Sequence, residues 1–100
     1  MPLGGELVFE WDSEKAKINF QKHGVSFYTA ALVFNDEERI EIYDQLHSDG
    51  EDRFITIGRA GRILFVVYTE RNLCIRIISA RLANARERRI YYGDDNLYFD

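Results

Sequence analysis

The chain has 100 residues, 46% apolar and 14% aromatic, with 13 Lys and Arg against 17 Asp and Glu. That length and apolar content suit a single domain with its own core, and one cysteine excludes an internal disulfide. A formal charge of −4 argues against a general binder of duplex DNA. Residues 1–12 lack the regions of a secretory leader, and no run approaches the roughly 18 apolar residues of a membrane span, so a soluble cytoplasmic protein without membrane contact is expected.

In chain order, Leu7–Trp11 (LVFEW) is a short strand candidate. Asp12 stands at a helix N-cap, Glu14 sits in the first turn, and the helix runs to His23 and stops at Gly24, which favours a left-handed C-cap. Ala16, Phe20 and His23 keep i, i+4, i+7 spacing and form the expected inward stripe. Lys15, Asn19 and Lys22 form the neighbouring stripe, with two cations and an amide suited to phosphates, or simply a solvated face. Ser26 caps a second helix that buries Phe27, Ala30, Ala31 and Phe34 and ends near Asn35–Asp36.

From Arg39 the apolar period becomes two, giving a half-exposed strand through Ile40 and Ile42. The acidic loop Asp44–Asp52 carries His47. Phe54–Gly58, Ile63–Thr69 and Cys74–Ala80 follow as strands joined by short turns, an antiparallel meander in which the run ILFVVYT is expected to be buried on both faces. Ala83–Tyr92 closes the chain as a helix. The fold class is α+β: an N-terminal strand and a two-helix hairpin packed on a 3–5-stranded antiparallel sheet, with a C-terminal helix. Residues 1–92 form the one domain, and 93–100 an acidic tail with no assigned role.

Glu70–Tyr92 concentrates six arginines (71, 76, 81, 86, 88, 89) against two glutamates, in a chain that is acidic overall. Such a segment either prepares a place for an anion or pairs with the acidic loops.

Three stretches carry a family resemblance: FEWDSEKAKINFQKHGVSF, DRFITIGRAGRILFVVYTER and IRIISARLANARERRIYY. In this order and spacing, from about Val8 to Tyr92, the chain resembles the BrnT family of type II toxin–antitoxin toxins. The resemblance implies a RelE-like ribonuclease that cleaves RNA, free or on the ribosome, and stops translation. It also implies a ribbon-helix-helix antitoxin partner, BrnA, through which the complex reaches operator DNA and represses its own operon. Ser13 departs from the family's usual proline at the first helical position, which affects only the rigidity of that helix start.

Metal-free RNA cleavage requires a base for the 2′-hydroxyl, cations for the phosphorane and an acid for the leaving 5′-oxygen. No metal or other cofactor is expected, since the acids cluster in one loop without paired-carboxylate spacing. Arg76 and Arg81 are the first candidates for the cationic role, because a guanidinium reaches two phosphate oxygens and stays charged. They have opposite parity in the strand, so they share a face only if the strand bends or ends between them. Arg76 also fits a structural ion pair with Glu70 or with an acid of the 44–52 loop. His23, His47 and Glu70 are the proton-transfer candidates, and the residues alone do not choose among them. Lys15, Lys22, Arg53, Arg71, Arg86, Arg89 and Tyr91 are candidates for gripping RNA phosphates and stacking a base. The alternative is a non-catalytic partner-binding module of a DNA-binding repressor complex, the arginines serving only to hold the partner.

Overall fold

Local rules place the helices of the computed structural model, which describes residues 7–93. After β1 (Val8–Glu10), the Asp12 carboxylate accepts the Lys15 amide at 2.9 Å and opens α1 (Ser13–His23). Gly24 ends it at φ 71°, a left-handed cap that needs no Cβ. Ser26 accepts from the Thr29 amide at 3.0 Å to start α2 (Phe27–Leu32), which tightens into a 3₁₀ turn over Val33–Asn35. Then come β2 (Ile40–Tyr43), β3 (Phe54–Ala60), β4 (Arg62–Arg71), β5 (Cys74–Leu82) and α3 (Ala85–Tyr92). The acidic tail expected after Tyr92 lies, from Asp94 onward, outside the described residues. Among the described residues no helix is long and apolar enough to cross a membrane.

The strands form one sheet in the order β1-β5-β4-β3-β2. The meander from β2 to β5 is antiparallel as expected, but β1 runs parallel to β5, so the sheet is mixed. The reason lies in the connection. The helical hairpin carries the chain from the β1 edge to the β2 edge, and such a long crossover permits parallel alignment at β1.

The two faces of the sheet are covered unequally. Leu64, Val66, Tyr68, Ile75, Ile77 and Ala80 pack against Val25, Phe27, Ala30, Val33 and Phe34 of the hairpin. On the other face α3 contributes only the half-buried Ile90 and Tyr91 over Ile57, Ile63 and Ala83. Phe65 and Val67, expected to be buried, are therefore only partly covered.

β5 differs most from expectation. It continues through Arg81 to Leu82, so the last helix starts two residues later than the sequence suggests. Between the pairs Tyr68↔Ile77 and Val67↔Ser79, Ile78 has no partner, which is a β-bulge. The bulge reverses side-chain parity. Ile77 and Ala80 both face the hairpin, while Arg76, Ser79 and Arg81 all take the open side.

α1 also departs from its expected orientation. Phe20 and His23 are exposed, and the buried position is Asn19. α1 lies along the β5 edge rather than over a face, where the strand's backbone groups need polar partners. The Asn19 carboxamide donates to the Ala80 carbonyl at 2.8 Å and to the Val25 carbonyl at 3.1 Å, and accepts from the Ala80 amide at 3.2 Å. Replacing it strands three buried backbone groups. Asn19→Ala is expected to destabilise the fold by about 3 kcal/mol in urea unfolding, and an unchanged midpoint would contradict this role.

Asp36 ties α3 to the rest of the domain. Burial raises its carboxyl, but bonds from the Tyr91 hydroxyl (2.7 Å) and the Arg59 (2.8 Å) and Glu38 (2.9 Å) amides outweigh burial and hold it below the usual range. A depressed folded value contributes stability above the unfolded value and loses it as the pH falls through the folded one. Asp36→Asn should therefore unfold at lower urea than the parent at about pH 7, with the gap closing by about pH 3. A gap that persists in acid would show that the bonds do not depend on the charge.

Candidate active site on the open face of the sheet

Beyond the reach of α3, the open face carries a groove of roughly 390 Å³ lined by Asp44, Leu46, His47, Arg53, Ile55, Phe65, Val67 and Ser79. Alternation puts Ile55, Phe65, Val67 and Ser79 on its floor. One bank is the loop after β2, which is firmly built. Ser48 Oγ accepts the Arg53 amide at 2.9 Å and donates to the Asp44 carbonyl at 2.6 Å. A 3₁₀ turn over Gln45–His47 then brings His47 Nδ1 to 3.0 and 3.1 Å from the two oxygens of Asp44. The Asp44 side chain is largely buried and the His47 side chain is 66% exposed, so a fixed carboxylate orients a solvent-facing imidazole.

The opposite end of the floor belongs to Arg81. Its guanidinium stacks 4.0 Å above the Phe65 ring and makes two bonds to Glu87, at 2.8 and 3.0 Å. Glu87 also accepts the Asn84 amide at 2.9 Å in the capping box of α3. Burial raises the Glu87 carboxyl, but Arg81 and that amide prevail and keep it ionised below the usual range. Arg81 is thus immobilised by the helix whose N-cap, Asn84, lies three residues after it.

Arg76 flanks the groove on the same face. Its partner is Glu10, at 3.1 Å, its register neighbour on β1; neither Glu70 nor an acid of the 44–52 loop takes that place. Arg71 binds Glu51 through two bonds, at 2.6 and 2.9 Å. That pair, with further attraction from Arg53 and Arg76, lowers the Glu51 carboxyl. Three guanidiniums therefore gather at this end of the sheet. Between them Thr69, fully buried opposite Arg76, has no hydrogen-bond partner for Oγ1 among the described residues. Five residues of strand place Arg76 and Arg81 about 16 Å apart along the backbone at most, so they bracket the groove.

The remaining candidates scatter. Lys15, Lys22 and His23 line a second groove, beside α1, that also reaches Ser79. Arg86 and Arg89 are exposed on α3. Tyr91 is half buried with its hydroxyl on Asp36, so its ring packs α3 and is no open stacking surface. Glu70 pairs with the core residue Ile75, which puts it on the hairpin side, away from the groove. Sequence reasoning passed over Asp44, Phe65, Ser79 and Glu87. Asp44, three residues before His47, and Glu87, three residues after the capping Asn84, carried local signals. Among the described residues no group of three His, Cys, Asp or Glu side chains is placed to hold a metal ion.

A search of curated proteins returned no match. Among solved structures, the 1.1 Å crystal structure of the Brucella abortus ribonuclease toxin BrnT is similar, with a TM-score of 0.59 over 79% of this chain and 99% of that one, at 21% identity. At that identity the likeness establishes a shared fold. The family model described as "Ribonuclease toxin, BrnT, of type II toxin-antitoxin system" matches residues 11–87. With more than half of its length matched, the chain belongs to the BrnT family of ribonuclease toxins of type II toxin–antitoxin systems.

Proposed function

We propose that the chain is a metal-independent endoribonuclease that inhibits translation, that its site is the open face of the sheet, and that a BrnA-like ribbon-helix-helix antitoxin covers this face and connects the pair to operator DNA. The observation that carries the reading is one groove, in a chain of this family, lined by an Asp44-oriented His47 and by Arg53, with Arg81 fixed above Phe65.

The chemistry follows from those groups. With Nδ1 donating to Asp44, Nε2 of His47 is the nitrogen left to take the proton of an RNA 2′-hydroxyl. The 2′-oxygen attacks phosphorus, the bond to the 5′-oxygen breaks, and the products are a 2′,3′-cyclic phosphate and a 5′-hydroxyl. The phosphorane carries added negative charge, for which Arg53 and the preorganised Arg81 guanidinium are the nearby cations, Arg76 extending the positive field along the strand. In-line displacement puts the leaving oxygen opposite the nucleophile, where solvent in the open groove supplies its proton.

The direct test is incubation of the purified chain with a defined RNA in EDTA, with product ends mapped. Cleavage leaving 2′,3′-cyclic phosphate ends is expected. If RNA stays intact both free and on translating ribosomes, the chain is instead a non-catalytic partner-binding module.

His47→Ala is expected to lower the cleavage rate by about 10²- to 10³-fold with the fold intact. Arg81→Ala should lower it by a comparable factor, about 10²-fold, and also loosen α3 by removing the partner of Glu87. Glu70→Ala should cut as fast as the parent. A Glu70 variant that loses activity while His47→Ala keeps it would move the site to another face.

A further inference from the structure

Two grooves meet at Ser79. The first is the His47–Arg53 groove; the second, of roughly 220 Å³, runs between α1 and the bulge in β5 and is lined by Lys15, Ile18, Asn19, Lys22, His23, Ile78 and Ser79. The bulge creates the junction, because it turns Ser79 onto the open face and leaves Ile78 unpaired at the strand edge facing α1. The second groove has an apolar floor and a cationic rim. Ile18 is 55% exposed, an apolar surface left in water. Among the described residues Lys15, Lys22 and His23 take part in no salt bridge, whereas Arg39, Arg71, Arg76 and Arg81 each pair with a carboxylate. The paired arginines are held in fixed positions, and the lysine rim carries positive charge that no carboxylate of the described residues meets in a salt bridge.

We infer that the groove beside α1 is a second nucleotide subsite, in which an RNA strand leaving the cleavage groove crosses β5 at Ser79 and lays a base on Ile18 and Ile78 with its phosphates on Lys15 and Lys22. The inference rests on the ribonuclease reading for its direction of travel, since it continues the same strand. It adds a substrate requirement. A base lying on an apolar floor is unstacked and unpaired, and a space of this size admits a base and no duplex, so the substrate is single-stranded where it crosses β5. An acidic segment of a protein partner would satisfy the lysines but leave no reason for the apolar floor to continue the cleavage groove.

The test reads binding separately from cleavage. Fluorescence anisotropy is measured with uncleavable 2′-O-methyl RNA of about two and about twelve nucleotides, lengths below and within the usual range of single-strand sites. The parent is compared with the double variant Lys15→Ala/Lys22→Ala and with Ile18→Ser. Loss of two phosphate contacts should lower the slope of log affinity against log salt by about 1.4 for the long strand, making its change between about 50 and about 200 mM salt about sevenfold smaller. Ile18→Ser should weaken the long strand without changing that slope. The short strand and a duplex of the same sequence should bind parent and variants alike, and Lys15→Arg/Lys22→Arg should restore the slope. An unchanged slope for the long strand, or equal losses on short strand, long strand and duplex, would overturn the subsite. So would variants that weaken only the binding of a partner protein. If the chain cuts no RNA yet shows the predicted slope, the subsite stands and the ribonuclease reading falls.

Discussion

One unpaired residue in β5 decides what this sheet presents to its surroundings. Strand alternation would send Arg76 and Arg81 to opposite faces, and the bulge at Ile78 sends both, with Ser79, to the open one. The same shift lets Ile77 and Ala80 join one apolar core. Asn19 reinforces this register by pairing with both backbone groups of Ala80, two residues past the bulge. A slip of one position would break those bonds and put Arg81 into the core, so the arrangement of the face and the stability of the domain depend on the same local geometry.

Division of labour between the two faces follows. The helical hairpin supplies the apolar mass that holds the domain together, which frees the other face from full coverage. α3 rests there mainly through polar links: Arg81 with Glu87, Tyr91 with Asp36, and Arg59 with the Tyr92 hydroxyl at 2.8 Å. Polar links at a domain surface add little to stability, because water competes for the same groups. Their stronger effect is positional. The Glu87 pair fixes the Arg81 guanidinium beside a groove in a chain that is acidic overall, so the positive surface is local.

Much of the fold was legible because its signals are local. Asp12, Gly24 and Ser26 act where capping rules put them, and the α2 stripe of Phe27, Ala30 and Phe34 is buried as its spacing requires. Misplaced features depend on residues distant in sequence. Helical spacing cannot tell whether α1 lies over a face or along an edge, and only the edge position explains a buried Asn19 beside an exposed Phe20. The Glu10 partner of Arg76 is 66 residues away, on a strand whose parallel pairing no local pattern announces. Of the candidate site, the arginines and His47 could be singled out by chemistry. Their separation from Glu70 and Tyr91 required the register of β4 with β5 and the docking of α3.

RNA meets the open face of the sheet in the reaction proposed here. The most direct measurement is a map of backbone amide NMR shifts as the chain is titrated with an uncleavable 2′-O-methyl RNA. The largest changes are expected on His47, Arg53, Phe65, Val67, Ser79 and Arg81, with α2 unmoved. Changes concentrated on α2 and on the hairpin-side residues of β3 and β4 would contradict it.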